Sequence, residues 1–156
     1  MSQNNGLIDK LFKVFPQQAD LILRIALGTV FIGHGSQKLF GWFGGNGWTK
    51  TIGYFAKAME IPEFFSALVI LGEFFGGIAI ILGLLTRPAG AGLAVIMAGA
   101  AMKVSLKNGF FLDLKGTADG VEYVFVLFMI AVYFAVKGAG TISLDNLISK
   151  KLSGNS

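Results

Sequence analysis

Four apolar stretches, each about twenty residues long, occupy most of this 156-residue sequence. They cover residues 20–40, 64–85, 88–106 and 121–137. About twenty helical residues are needed to cross the hydrocarbon core of a bilayer. Charged residues make up only 14% of the chain, whereas a soluble domain needs about 25%. The pattern therefore predicts an all-α fold, an integral membrane four-helix bundle that forms a single membrane domain over residues 1–156.

Shorter segments are predicted to lie at the membrane surface. In residues 6–15 (GLIDKLFKVF), apolar side chains recur with helical spacing opposite charged ones, which is typical of an interfacial amphipathic helix; a disordered tail is the alternative. A glycine-rich loop at 41–48 (GWFGGNGW) carries two tryptophans that suit the interface, and it is a candidate lid. Short helices are expected at 49–60 and at 143–150, the second capped by Ser143.

The number of spans also predicts the topology. Four spans place both termini on the same side of the membrane. The positive-inside rule favours the cytoplasm for that side, although the excess of lysine and arginine there is small. The loops at 41–63 and 107–120 would then face outward.

The residue inventory excludes several kinds of redox and metal centre. The chain has no cysteine, which rules out disulfides, thiol catalysis, iron–sulfur clusters and zinc–thiolate sites. Its one histidine, His34, rules out a bis-histidine haem or a multi-histidine metal site within one chain. The basic residues are mostly single rather than in runs, so no nucleic-acid surface is predicted. No motif for a covalent or metal-bound cofactor is found.

Polar side chains inside the spans form the candidate site, because charges in a bilayer are costly and usually face a cavity or a partner charge. His34, Gln37 and Lys38 share one helix face, since they are three and four residues apart. Arg24 lies deeper, toward the inner side. The alternating direction of the spans places seven polar residues at similar depth in the outer half of the bundle: His34, Gln37, Lys38, Glu73, Lys103, Glu122 and Tyr123.

Each of these residues also has a structural interpretation. Glu73 either forms an ion pair with Arg24 or with one of the lysines, or it serves as a ligand-binding or proton-handling carboxylate. His34 either packs with its hydrogen bonds satisfied, or donates a hydrogen bond and a proton to a bound carbonyl. Arg24 either reaches Glu73 or snorkels to the inner headgroups. The lysines and the tyrosine either anchor the chain at the interface or line the site.

Several stretches together resemble the DoxX family of small bacterial membrane proteins. They are LRIALGTVFIGHGSQKLFGWFGG (23–45), LGEFFGGIAIILGLLTRPAG (71–90), KNGFF (107–111) and EYVFVLFMIAVYFAVKGAGTISLD (122–145). The resemblance implies a four-helix bundle in the bacterial cytoplasmic membrane and an oxidoreductase role. A related branch, DoxD, resembles the membrane subunit of a thiosulfate:quinone oxidoreductase. The family's polar pattern matches Arg24, His34, Lys38, Glu73, Lys103 and Glu122.

The leading hypothesis is therefore a membrane component of a redox system that binds a quinone or a similar lipid-soluble molecule. His34 and Glu73 are the candidate catalytic residues: His34 would donate to a quinone carbonyl, and Glu73 would reload or orient it. The chain has no electron donor of its own, so a partner redox protein is expected to supply electrons. The ligand-binding candidates are Arg24, Gln37, Lys38, Lys103, Glu122 and Tyr123.

Two alternatives come from other functional classes. A transporter or binding module would hold a small anion or metabolite in the same polar pocket, and four spans would then require a homo-oligomer. A non-enzymatic assembly or scaffold subunit would use its charges to pair across helices. A bound quinone distinguishes the redox hypothesis from both alternatives.

Overall fold

The computed structural model describes residues 16–111 and 120–154, and within these ranges every regular element is helical. This confirms the all-α prediction for those residues, whereas the helix predicted at 6–15 lies outside them. Short 3-10 helices occupy Trp42–Gly44 and Ser105–Asn108. The α-helices are α1 (Pro16–Leu39), α2 (Gly47–Ala58), α3 (Glu63–Leu82), α4 (Thr86–Lys103), α5 (Val121–Lys137) and α6 (Leu144–Ser153).

Backbone conformation and side-chain caps set where these helices begin and end. Gly83 ends α3 with φ 64°, and Gly138 ends α5 with φ 85°, both in the left-handed region that glycine adopts without steric cost. The Ser143 hydroxyl accepts a hydrogen bond of 3.1 Å from the amide of Asn146. Ser143 therefore caps α6, as the sequence predicts.

Helices α1, α3, α4 and α5 surround one apolar core. α1 packs against α3, α3 against α4, and α4 against α5, each pair antiparallel. We call the end where α1 begins and α6 lies the terminal end, and the end that holds α2 and the 3-10 helices the loop end. The buried core side chains come from all four long helices: Leu27, Phe31, Ile80, Leu93, Ala94, Met97, Leu127, Ala131 and Phe134.

Glycines let the backbones of neighbouring helices approach closely. A Cβ at Gly28 of α1 would lie 2.6 Å from the carbonyl oxygen of Gly77 on α3, and one at Gly35 would lie 2.6 Å from the amide nitrogen of Phe74. A Cβ at Gly90 of α4 would lie 2.7 Å from the amide nitrogen of Ala135 on α5. No side chain fits at these distances, so glycine sets the separation of these helix pairs, as is common in membrane bundles.

Two of the four long helices have the length and composition of membrane spans. They cover Ala19–Leu39 and Glu63–Leu82, and less than half of each segment is buried inside the protein. α4 is less apolar because it is rich in alanine and glycine and begins with Thr86-Arg87-Pro88, and α5 has only 17 residues. Large apolar side chains are nevertheless exposed on all four, including Ile22, Phe64, Phe75, Val95, Val126 and Val136. Such a surface is unusual for a protein surrounded by water.

The close approach of α1 and α3 predicts opposite effects for two glycine substitutions on the same helix. Gly28→Ala should destabilise the protein by about 1–3 kcal/mol, because the new methyl group meets the backbone of Gly77. Gly33→Ala is the control, because a Cβ at Gly33 has no atom within 4 Å and alanine favours the helix by about 1 kcal/mol. Thermal unfolding in mild detergent measures both, and equal stability of the two variants would contradict the packing argument.

Candidate functional site

The main cavity lies at the loop end, between α1, α3, α4 and α5, and has a volume of about 570 Å³. Its walls are mostly apolar, with Phe31, Val69 and Leu127 among them. The polar side chains that line it are His34, Lys38, Glu73, Lys103, Ser105 and Tyr123. A mostly apolar cavity with a few converging polar groups is the usual form of a small-molecule site. Five of the eight residues predicted from the sequence thus line one cavity.

Lys38 and Glu73 form an ion pair in this cavity. The Nζ of Lys38 on α1 lies 2.5 Å from the Oε2 of Glu73 on α3. The Glu73 side chain is 5% exposed and that of Lys38 is 25% exposed, so the carboxylate is the more buried member of the pair. Of the ion pairs expected for Glu73, the structure contains the one with Lys38.

His34 is held by a side chain on each ring nitrogen. Its Nδ1 lies 3.1 Å from the Oε1 of Gln37, and its Nε2 lies 3.4 Å from the hydroxyl of Tyr123. Gln37 also donates from its Nε2 to the carbonyl of Phe43 at 3.4 Å, which turns its amide oxygen toward the imidazole. With a proton on Nδ1, the ring donates to Gln37 and accepts from Tyr123. Gln37 therefore contacts His34 without lining the cavity itself.

Lys103 and Glu122 differ in their position relative to the cavity. Lys103 is exposed in the last turn of α4 and lines the cavity. Glu122 lies in the first turn of α5, beside Tyr123, and its backbone amide donates to the carbonyl of Phe110 at 2.9 Å. The Glu122 carboxylate is not among the groups that line the cavity.

Arg24 lies away from this cavity and is in neither of the environments expected from the sequence. It is 2% exposed at the terminal end, so it does not snorkel, and its guanidinium donates to backbone carbonyls rather than to Glu73. Two acceptors end α3, at Ile80 (2.9 Å) and Ile81 (2.7 Å). The other two precede α6, at Ala139 (2.8 Å) and Ile142 (2.6 Å). The depth inferred from the sequence could not identify backbone acceptors that come from distant segments.

Two acidic residues that the sequence did not single out anchor the same end. Asp145 of α6 accepts hydrogen bonds from the amides of Leu85 (2.7 Å) and Thr86 (2.9 Å), and so caps α4 from 59 or more residues away. Asp20 of α1 accepts from the Tyr133 hydroxyl at 2.5 Å and from Lys137 at 2.7 Å. The four-residue spacing of Tyr133 and Lys137 on α5 was the available signal for a shared partner.

The wall of the cavity at the loop end comes from α2 and the residues after it. Phe55, Met59 and Ile61 line the cavity there. The glycine-rich loop at 41–48, a candidate lid from its sequence, contributes no lining residue. Helix α2 rather than that loop therefore closes this side of the site.

The anchoring role of Arg24 predicts a large effect of a conservative change. Arg24→Lys should lower the free energy of unfolding by about 3 kcal/mol, because an ammonium cannot reach four carbonyls at once and leaves buried acceptors unpaired. Arg87→Lys, at an exposed arginine of the same end, is the control and should change little. Thermal unfolding in detergent measures the difference, and an Arg24→Lys protein as stable as the control would exclude this role.

The Asp145 cap predicts a pH-dependent contribution to stability. Burial opposes ionisation, but the hydrogen bonds from the Thr86 and Leu85 amides and the charge of Arg24 outweigh it, and hold the pKa of Asp145 below its ordinary value of 3.8. The carboxylate therefore stabilises the fold above about pH 4, and this contribution is lost as the pH falls through the lowered pKa. Asp145→Ala should cost about 1–2 kcal/mol at pH 7.

Asp145→Asn serves as the comparison. Because its amide oxygen still accepts one hydrogen bond, this variant should lose less free energy of unfolding than Asp145→Ala. The deficit of Asp145→Ala relative to the unchanged protein should be constant from pH 7 to about pH 4 and should shrink as the pH falls from about 4 to about 2. A deficit that stays constant over this range would show that the charge of Asp145 does not contribute.

Comparisons with known proteins identify the family of this chain. A sequence profile of the family described as DoxX matches residues 19–106, more than half of the chain. A Bacillus subtilis protein named "Putative oxidoreductase CatD" is 31% identical over 86% of this chain and 91% of its own length. The Escherichia coli "Inner membrane protein YqjF" is 34% identical over 67% of this chain and 82% of its own length. No solved structure matches the chain. The chain belongs to the DoxX family of membrane proteins.

Proposed function

We propose that α1, α3, α4 and α5 all cross the bacterial inner membrane and form an integral membrane four-helix bundle. The exposed apolar side chains on all four helices support this arrangement, as does the name of the Escherichia coli relative. α4 and α5 have 18 and 17 residues, or about 26 Å at 1.5 Å per residue. They are near the lower limit for a span of the ~30 Å core. Both termini lie in the cytoplasm in this proposal, so the cavity opens in the outer half of the bundle.

Within this bundle we propose a membrane component of a redox system that binds a quinone or a similar lipid-soluble molecule. The observation that carries the proposal is the cavity at the loop end, where apolar walls surround a cluster of hydrogen-bond donors. The apolar walls suit a planar ring, and the donors suit carbonyl oxygens. The name of the Bacillus subtilis relative, an oxidoreductase, supports redox chemistry.

The polar residues divide into two groups with different tasks. Tyr123 and Gln37 contact the two ring nitrogens of His34 and orient the ring at the cavity wall, and a bound carbonyl would replace one of these contacts. Lys38 donates to Glu73 and keeps a positive charge at the cavity wall, where it would stabilise negative charge on a bound oxygen. A bound quinone supplies two-electron, two-proton chemistry, and His34 and Glu73 are the groups that would hold and pass the protons.

The electrons must come from elsewhere. The chain has no cysteine and one histidine, so it lacks the ligands of an iron–sulfur cluster or a bis-histidine haem. We therefore propose a partner redox protein as the electron donor. In this arrangement the chain binds the lipid-soluble electron acceptor and transfers protons to it.

Anion binding or transport is the second candidate. Two lysines, Lys38 and Lys103, line the cavity beside one carboxylate, Glu73. This balance leaves the wall positively charged, which suits an anion. The identity of the bound molecule separates the two functions.

The first test is mass spectrometry of small molecules extracted from protein purified in mild detergent. We expect about one quinone per chain in the unchanged protein and at least a tenfold loss in His34→Ala/Glu73→Gln, which removes the candidate catalytic groups. Glu63→Gln is the matched control, because Glu63 lies in the exposed first turn of α3 and does not line the cavity. Its quinone content should equal that of the unchanged protein.

Tyr123→Phe provides a second variant that keeps the Lys38–Glu73 pair. It removes only the hydroxyl that contacts His34, and its quinone content should fall while its thermal stability stays within about 1 kcal/mol. A protein purified from quinone-containing membranes with no quinone bound would contradict the redox proposal and favour the anion-binding function.

A further inference from the structure

A second apolar groove lies beside the main cavity, between α4 and α5 at the loop end. It has a volume of about 240 Å³. Ala98 and Ala101 form its α4 side, and Val121, Phe125 and Phe128 form its α5 side. Each of these side chains is apolar, so the groove offers no hydrogen-bonding side chain to an occupant.

Three side chains line both the groove and the cavity: Met97, Met102 and Val124. The two spaces therefore adjoin each other at these side chains. Methionine is unbranched and adapts its shape easily, and Met102 is 64% exposed. Two of the three side chains at the boundary between the spaces are thus flexible methionines.

The groove also continues to the outside of the bundle. Phe125 is 47% exposed, and Met129, one turn further along α5, is 49% exposed. In the proposed membrane orientation this face contacts lipid chains. The groove therefore lies between this exposed face and the cavity that contains the ion pair and His34.

We propose that this groove binds the apolar tail of the ligand whose polar head occupies the cavity. The ligand class is an amphiphile with a hydrogen-bond-accepting ring and a hydrocarbon or isoprenoid chain, and it enters sideways from the bilayer between α4 and α5. This inference rests on the proposed quinone site. The polarity of the two spaces supports it, because donors line the cavity and apolar groups line the groove.

Binding of two quinones that share one head group tests the inference. The probes are 2,3-dimethoxy-5-methyl-1,4-benzoquinone and the same ring with a decyl chain, measured in lipid nanodiscs with empty nanodiscs as the correction for partitioning. We expect the chain to strengthen binding to the unchanged protein at least tenfold. Ala101→Phe fills the groove and should abolish that gain, while binding of the tailless probe stays within twofold.

Ala98→Leu adds a smaller side chain to the same groove and should remove part of the affinity gained from the decyl chain. This variant keeps the test informative if Ala101→Phe does not fold. Ala91→Phe is the matched control, because Ala91 is exposed on α4 and lines neither space. Two results would overturn the proposed tail groove without affecting the proposed quinone site. One is an equal loss of affinity for both probes in Ala101→Phe, and the other is a decyl chain that adds no affinity in the unchanged protein. If neither probe binds the unchanged protein, the proposed quinone function is overturned together with it.

Discussion

One guanidinium joins segments of the chain that are far apart in sequence. Arg24 donates to the last carbonyls of α3 and to the turn between α5 and α6. The carbonyl of Ile80 also accepts from the amide of Gly83, and leaving the other acceptors unpaired away from water would be costly. The same charge lies close to Asp145, which caps α4. The packing of α1, α3, α4 and α5 at the terminal end depends on this group of contacts.

Anchoring and candidate chemistry occupy opposite ends of the fold. The buried polar contacts of Arg24, Asp145 and Asp20 lie at the terminal end, where side chains and backbone satisfy one another. The cavity lies at the loop end, where His34 and Lys38 are among the lining residues. A firmly held end and a more open end would allow the proposed ligand site to change without loss of the fold. The same division explains why Arg24, although polar and within a span, does not belong with the site.

The sequence predicted the helices and the depth of the polar residues, but not their rotation about the helix axes. The lengths of the apolar stretches were sufficient to locate the long helices. The serine at position 143 was sufficient to predict the N-terminal cap of α6. Depth alone brought Glu73 level with two lysines, and only packing shows that Lys38 is its partner. Backbone carbonyls carry no sequence signal, so the acceptors of Arg24 could not be predicted. The cap of α4 by Asp145 joins residues too distant in sequence for any local motif to indicate it.

The tight contact at Gly35 limits how the proposed ligand site can change among relatives. Gly35 lies on the helix that carries His34 and Lys38, against the backbone of Phe74 beside Glu73. Any larger side chain there would push α1 from α3 and lengthen the Lys38–Glu73 pair. This wall cannot be remodelled to admit a bulkier ring while the pair is kept. If relatives use the proposed site for different ligands, they should therefore differ at Phe55, Met59 and the methionines of α4, whereas the α1–α3 wall should stay constant.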